Sequence, residues 1–236
     1  MILTILGVNG PFPSAGGACS GYLLSSDSGR TNLLIECGSG VLSRLTQVMD
    51  IRDLDAVVLS HLHYDHMSDM LPMNYLIDFS GRAPVKTVCP ENPKKAYHML
   101  SDGKLDLYPV RDMELKEMKL EFMPGKHPVE SYALRVVCDG QTFVYTGDTN
   151  WVDELVLFAS QADLLLADAG LLSCDWTEKK PHMSARLCAR LAREASAKQL
   201  VLTHLSPLYD PEALIDEALV EYPKAILARA GMRISV

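Results

Sequence analysis

The chain opens on a strand-like, mostly apolar run, residues 1–8, which Gly, Pro and Ser positions then interrupt. Two further strand-like runs follow at 21–26 and 32–36, again set off by turn-forming residues. The period changes at 39–48, where Val41, Leu42, Leu45 and Val48 fall on one face of a helix. Ala56-Val57-Val58-Leu59 is wholly apolar, the pattern of a short strand covered on both sides, and it leads directly to His61. The same grammar returns in the second half. Strands are predicted at 132–137 and 142–145, a helix from about Trp151 and a buried strand at 164–166. A helix over 184–194 then precedes a strand over 199–203 that runs into His204. Pro211 suits the first turn of a further helix, and closing strands are predicted at 225–227 and 232–236. No linker, low-complexity tract or charge block interrupts the pattern, so residues 1–236 are expected to form one domain. Two similar sets of strands and helices predict two sheets packed face to face with helices outside. That is a four-layer αββα sandwich of the α+β class; the element pattern by itself leaves a doubly wound α/β sheet open.

Composition adds limits to this picture. Hydrophobic residues make up 48% of the chain, enough for a large core, and the net charge of −8 opposes broad attraction to nucleic acid or anionic lipid. No apolar run approaches the roughly 20 residues that cross a bilayer, and the start lacks a basic leader and a small-residue cleavage site. A cytoplasmic protein with no membrane partner is therefore expected. The six cysteines include no Cys-x-x-Cys pair and read as buried thiols, except Cys174, which falls in a loop placed near the site.

The chemistry concentrates after the buried strand, in His61-Leu62-His63-Tyr64-Asp65-His66. Imidazole nitrogen and carboxylate oxygen are the donors that hold Zn²⁺ at about 2.0–2.2 Å. Residues two apart in an extended segment point the same way. His61 and His63 can thus grip one ion while Asp65 and His66, past the turn, face a second. Three imidazoles and a carboxylate within six residues have no ordinary packing explanation. Later strand ends offer His127, Asp148 in Thr146-Gly147-Asp148-Thr149, and His204 in Leu202-Thr203-His204-Leu205-Ser206-Pro207. Each is weak evidence alone, and together with the first motif they complete a two-metal set. His98, on a predicted helix, stands apart.

This order of motifs, His-x-His-x-Asp-His, then a later His, Gly-Asp-Thr and a final Thr-His, resembles the metallo-β-lactamase superfamily over nearly the whole chain. The resemblance implies that His61, His63 and His127 bind one metal, that Asp65, His66 and His204 bind the other, and that Asp148 bridges them. It also implies a hydrolase carrying two Zn²⁺ per chain, with Mn²⁺ or Fe²⁺ as alternatives for the same donors. Two such ions acidify a water and neutralise charge on a phosphoryl or carbonyl oxygen, and Asp65 could also orient the nucleophile.

Within the superfamily, three segments resemble transfer-RNA 3′-processing endonucleases and their shorter phosphodiesterase relatives. They are Gly7-Val8-Asn9-Gly10-Pro11-Phe12-Pro13, Pro181-His182-Met183-Ser184-Ala185, and Thr203-His204-Leu205-Ser206-Pro207-Leu208-Tyr209. By that resemblance His182 is a catalytic, nonligating histidine paired with Asp168, where the endonucleases usually have Glu. A His held by a carboxylate suits protonation of a leaving alkoxide. The interval from His127 to Asp148 is long enough only for a hairpin, whereas the endonucleases carry an RNA-clamping arm there. The expected substrate is therefore a small phosphodiester, such as a cyclic nucleotide or cyclic ribose phosphate, and nucleic acid is not an expected partner. Rival readings are a lactonase or thioesterase, an RNA 3′-end endonuclease, and a metal-retaining binding protein. Relatives commonly dimerise, which leaves a homodimer open. The loop 10–21 either curls over the metals or simply joins two strands.

Overall fold

The computed structural model describes residues 1–236. Its first half contains β1 (Ile2–Gly7), β2 (Gly21–Ser25), β3 (Asn32–Ile35), α1 (Val41–Val48), β4 (Ala56–Val58), α2 (Tyr64–Met67), α3 (Met70–Phe79), β5 (Val85–Val88), α4 (Lys94–Ser101) and β6 (Leu105–Tyr108). The second half contains β7 (Met113–Leu115), β8 (Met118–Pro124), β9 (Tyr132–Cys138), β10 (Gln141–Tyr145), α5 (Glu154–Phe158), β11 (Leu164–Asp168), α6 (Ala185–Glu194), β12 (Leu200–Thr203), α7 (Pro211–Glu221), β13 (Ala225–Leu227) and β14 (Arg233–Ser235). Two seven-stranded sheets result, ordered β14-β1-β2-β3-β4-β5-β6 and β13-β12-β11-β10-β9-β8-β7. The last strand thus crosses over to pair with β1 of the first sheet, antiparallel with Leu3 opposite Ile234.

Period-two alternation explains why the layers stack as they do. Leu3, Ile5, Tyr22, Leu24, Val58 and Val88 of the first sheet meet Leu134, Val136, Phe143, Tyr145, Leu164 and Leu166 of the second in one buried cluster. The residues between them face outward. Leu34 and Val57 pack under α1 and α3, and Leu165 and Ala167 pack under α5, α6 and α7. Strands such as β4 and β11 are covered on both faces, which is why they read as unbroken apolar runs. The expected αββα sandwich is the observed fold, and the doubly wound sheet is excluded.

The helix ends follow local chemistry. Ser184 caps α6 by accepting the Leu187 N–H, and Asp210 caps α7 ahead of Pro211. One helix begins later than expected, at Glu154 rather than near Trp151, because the Asn150 side chain captures the Trp151 N–H and holds a turn there. Helix α4 is the helix predicted around His98, whereas β5, β6 and β7, of three or four residues, and the largely half-exposed β8 were not legible in the sequence pattern. No helix is long and apolar enough to cross a membrane.

Topology gives the site its place. β3, β4, β5 and β6 run parallel, as do β10, β11, β12 and β13. Ligands in such sheets gather beyond the carboxyl ends of the strands. There β3 delivers Glu36, β4 delivers His61, β10 delivers Asp148, β11 ends on Asp168 and β12 delivers His204.

Candidate metal centre

Beyond β4 the chain stays extended through His63 and then turns into the single-turn helix α2. His61 and His63 consequently face one way, while Asp65 and His66 lie on the new turn. His61 Nε2 is 3.1 Å from His63 Nδ1, which is 3.1 Å from His127 Nε2. The second group is built around Asp148. Its Oδ2 lies 3.2 Å from His66 Nε2 and 3.2 Å from His204 Nε2, and Asp65 Oδ2 also lies 3.2 Å from His204 Nε2. The same Asp148 Oδ2 is 3.6 Å from His61 Nε2, so this carboxylate stands between the two groups. All seven residues singled out in the sequence are therefore brought together, while His98 is exposed on α4.

These residues fit divalent cations. Bonds of about 2.0–2.1 Å in a tetrahedron put neighbouring donors roughly 3.3 Å apart, close to the spacings found here. His66 Nδ1 and Nε2, Asp148 Oδ1 and His204 Nδ1 are buried without a hydrogen-bond partner, atoms a protein leaves unpaired only for a reason. Burial lowers the pKa of His61, His63 and His127 and leaves them as neutral imidazoles, the form that ligates a metal. At His204 burial opposes charge, but the Asp148 and Asp168 carboxylates outweigh it and push the pKa up to about 10. A bound cation would take the place of that proton.

Outer contacts fix the rings. The Pro181 carbonyl accepts from His127 Nδ1 at 3.1 Å, which leaves Nε2 unprotonated and turned to the other histidines. Ser60 Oγ lies 3.0 Å from His61 Nδ1. Glu36 is fully buried, accepts the Ser60 N–H and lies 3.5 Å from His66 Nδ1. Glu36 and His204 both adopt left-handed backbone, at φ 60° and 55°, a conformation that for such residues clusters at functional sites. Glu36 was not singled out in the sequence. The signal for its role was a carboxylate ending the apolar strand Leu33-Leu34-Ile35.

Asp168, fully buried, accepts from His182 Nδ1 at 2.8 Å through Oδ2 and from the N–H groups of Thr149 and Gly170. Its Oδ1 also lies 3.3 Å from Nδ1 of His204, a contact the sequence did not suggest. His182 stacks on His204 with centroids 4.8 Å apart and keeps 16% of its side chain exposed. With Nδ1 engaged by Asp168, its Nε2 remains for a ligand. The 10–21 loop does reach the centre at its start. A Cβ on Gly10 would lie 1.9 Å from His204 Nε2, so only glycine lets the backbone cover that ring. Cys174 is exposed and the other five cysteines are buried, all free.

Known proteins give this geometry its context. Residues 31–205 match the family model described as a Beta-lactamase superfamily domain. The chain is 34% identical over 215 residues to the probable metallo-hydrolase YhfI of Bacillus subtilis, covering 87% of each chain. The crystal structure of YhfI, a metallo-β-lactamase fold protein, superposes with a TM-score of 0.93 at 30% identity, covering 99% of each chain. Ribonuclease Z of Methanopyrus kandleri is 27% identical over 277 positions, covering 100% of this chain and 98% of the ribonuclease. That alignment is longer than the 236 residues here, so the ribonuclease carries segments this chain lacks. With its family, its fold and its converging His and Asp donors in agreement, the chain belongs to the metallo-β-lactamase superfamily and is one of its metallo-hydrolases.

Proposed function

We propose that this protein is a dinuclear metal-dependent phosphodiesterase, with two Zn²⁺ per chain, acting on a small phosphodiester such as a cyclic nucleotide or cyclic ribose phosphate. The observation that carries the reading is the His182–Asp168 pair, bonded at 2.8 Å, beside the Asp148 carboxylate, with His182 Nδ1 3.8 Å from Asp148 Oδ2. His61, His63 and His127 would hold one ion and Asp65, His66 and His204 the other, with Asp148 within reach of both groups. When bound, the ions supply Lewis acidity that activates a water and offsets charge on the phosphoryl oxygens. Asp65, with 10% of its side chain exposed, orients the attacking water. His182, protonated and held at Nδ1 by Asp168, delivers the Nε2 proton to the departing alkoxide. Attack on a lactone or thioester carbonyl has less need of that acid, which favours the phosphodiester.

A small substrate is favoured over RNA by three features. β9 and β10 are joined by only Asp139 and Gly140, leaving no arm between His127 and Asp148. The ribonuclease relative carries extra segments, and the net charge here is −8. Metal-loaded protein assayed on bis-nitrophenyl phosphate, cyclic nucleotides, a lactone, a thioester and precursor transfer RNA is expected to give its highest kcat/KM on a small diester. A higher kcat/KM on the RNA, with no protein added, would overturn the substrate class.

Acid catalysis by His182 also sets a pH dependence. Burial disfavours charge on His182, but the Asp168 carboxylate outweighs it and raises the pKa above the ordinary histidine value. The active, protonated form thus persists to higher pH than a free histidine would allow, and kcat on an alkyl ester should fall as pH rises through that raised pKa. Asp168→Asn removes the stabilising charge, so the falling limb should move to lower pH. A pH–rate profile with the limb unmoved would separate Asp168 from this role.

A further inference from the structure

Asn150 lies two residues beyond Asp148, is fully buried, and sits where three segments of the site meet. Its backbone N–H donates to the Lys126 carbonyl at 2.9 Å, in the loop that carries His127. Its Nδ2 donates to the Thr177 carbonyl at 3.0 Å and the Lys180 carbonyl at 2.6 Å. Its Oδ1 accepts the indole N–H of Trp176 at 2.9 Å and the Trp151 N–H at 2.6 Å. Both donors and both acceptor positions of the amide are filled. The residues that follow Lys180 are Pro181, whose carbonyl sets the His127 ring, and His182.

The rest of this irregular segment is anchored elsewhere. Its base is closed by a bridge between Leu171 and Ser184. Ser173 bonds Glu217, with Oγ 2.7 Å from Oε2, and the Tyr209 hydroxyl bonds Asp175 at 2.8 Å. Between Trp176 and Lys180 the side-chain contacts that tie the loop to the site come from Asn150.

We propose that Asn150 is a positioning residue that pins the 176–182 loop to the strand end carrying Asp148, and so sets Pro181 against His127 and His182 against Asp168. The link to His182 rests on the phosphodiesterase reading, whereas the pinning itself does not. A buried amide making four side-chain bonds leaves several polar groups unpaired when removed, and the loop tip is the part free to yield.

Two measurements on the metal-loaded protein test this. Trypsin cuts after Lys179 but not between Lys180 and Pro181, so nicking at 179 reports loop opening without reference to activity. In Asn150→Ala that nicking should accelerate at least about tenfold, because cleavage of a transiently opened segment follows the open population. Trp176→Phe, which removes one bond only, should show the same change more weakly and covers the case that the alanine variant does not fold. The second measurement is a double-mutant cycle on an alkyl phosphodiester. Asn150→Ala should lower kcat, and its loss should be several-fold smaller in the His182→Ala background than in the parent, because only its effect through Pro181 and His127 then remains. Unchanged nicking in both variants would overturn the proposal, as would fully additive losses. If His182→Ala is itself without effect, the phosphodiesterase reading fails, and faster nicking in Asn150→Ala would still uphold the pin.

Discussion

Asp148→Ala is expected to remove nearly all hydrolysis and to lower the metal content of the purified protein. Its Oδ2 is the one oxygen within 3.6 Å of ring nitrogens from both donor groups, at 3.2 Å from His66 and His204 and 3.6 Å from His61. No neighbouring residue can take over a carboxylate held at the end of β10 and 2% exposed. Electrostatic stabilisation by a bound metal is worth several kcal/mol, and each ~1.4 kcal/mol is tenfold in rate. A loss of about 10³-fold or more in kcat/KM follows. Elemental analysis should give two ions per chain in the parent protein and fewer in the variant. Asp148→Asn keeps the shape and removes the charge, so it separates loss of the bridge from loss of packing. A parent protein that retains one ion at most after reconstitution would contradict the dinuclear centre. Full activity with unchanged metal in either variant would remove Asp148 from it.

His182→Ala should be nearly as damaging on one class of ester and mild on another. If His182 protonates the leaving alkoxide, its absence matters most when that alkoxide is poor. General acid catalysis contributes about 10²–10⁴-fold, and a loss in that range is expected on a ribose-type ester. A nitrophenolate leaves with little need of a proton, so the loss on a nitrophenyl ester should be far smaller. Metal content should hold, since His182 Nδ1 is committed to Asp168 and lies 3.8 Å from Asp148 Oδ2. Equal losses on both esters with metals retained would dismiss the leaving-group role. Loss of an ion would instead make His182 a ligand, because Asp148, Asp168, His182 and His204 are also close enough to form a donor group. Asp168→Asn is a less clean companion than the sequence implied. Its Oδ1 faces the proposed ligand His204, so that variant should weaken metal retention as well as the acid.

Much of the centre was legible because its chemistry is local. His61, His63, Asp65 and His66 lie within six residues, so their shared facing depends only on an extended segment followed by a turn. The apolar runs at 56–59 and 164–166 declared doubly covered strands because burial on both faces leaves no polar alternation to read. Asp148 and His204 were recognisable as ligands only beside that first motif, through the order of the motifs along the chain. The strands from Val85 to Pro124 gave no comparable signal, because β5, β6 and β7 are too brief for periodicity to declare itself and β8 is half-exposed over its second half.

By itself, the sequence determined the main strands and the His61–His66 motif, because periodicity and ligand spacing are short-range properties of the chain, while the fold family and the remaining candidate ligands followed from the order of the motifs and the resemblance it carries. Only the tertiary structure decided how the two sheets bring their strand ends together. It set Asp168 between His182 and His204, Glu36 behind His66, Gly10 over the His204 ring, and Asn150 across to the carbonyls of Thr177 and Lys180. These contacts join residues from 14 to nearly 200 positions apart. No local pattern encodes such pairs; they exist because both sheets close on one core and every buried polar group among them must find a partner.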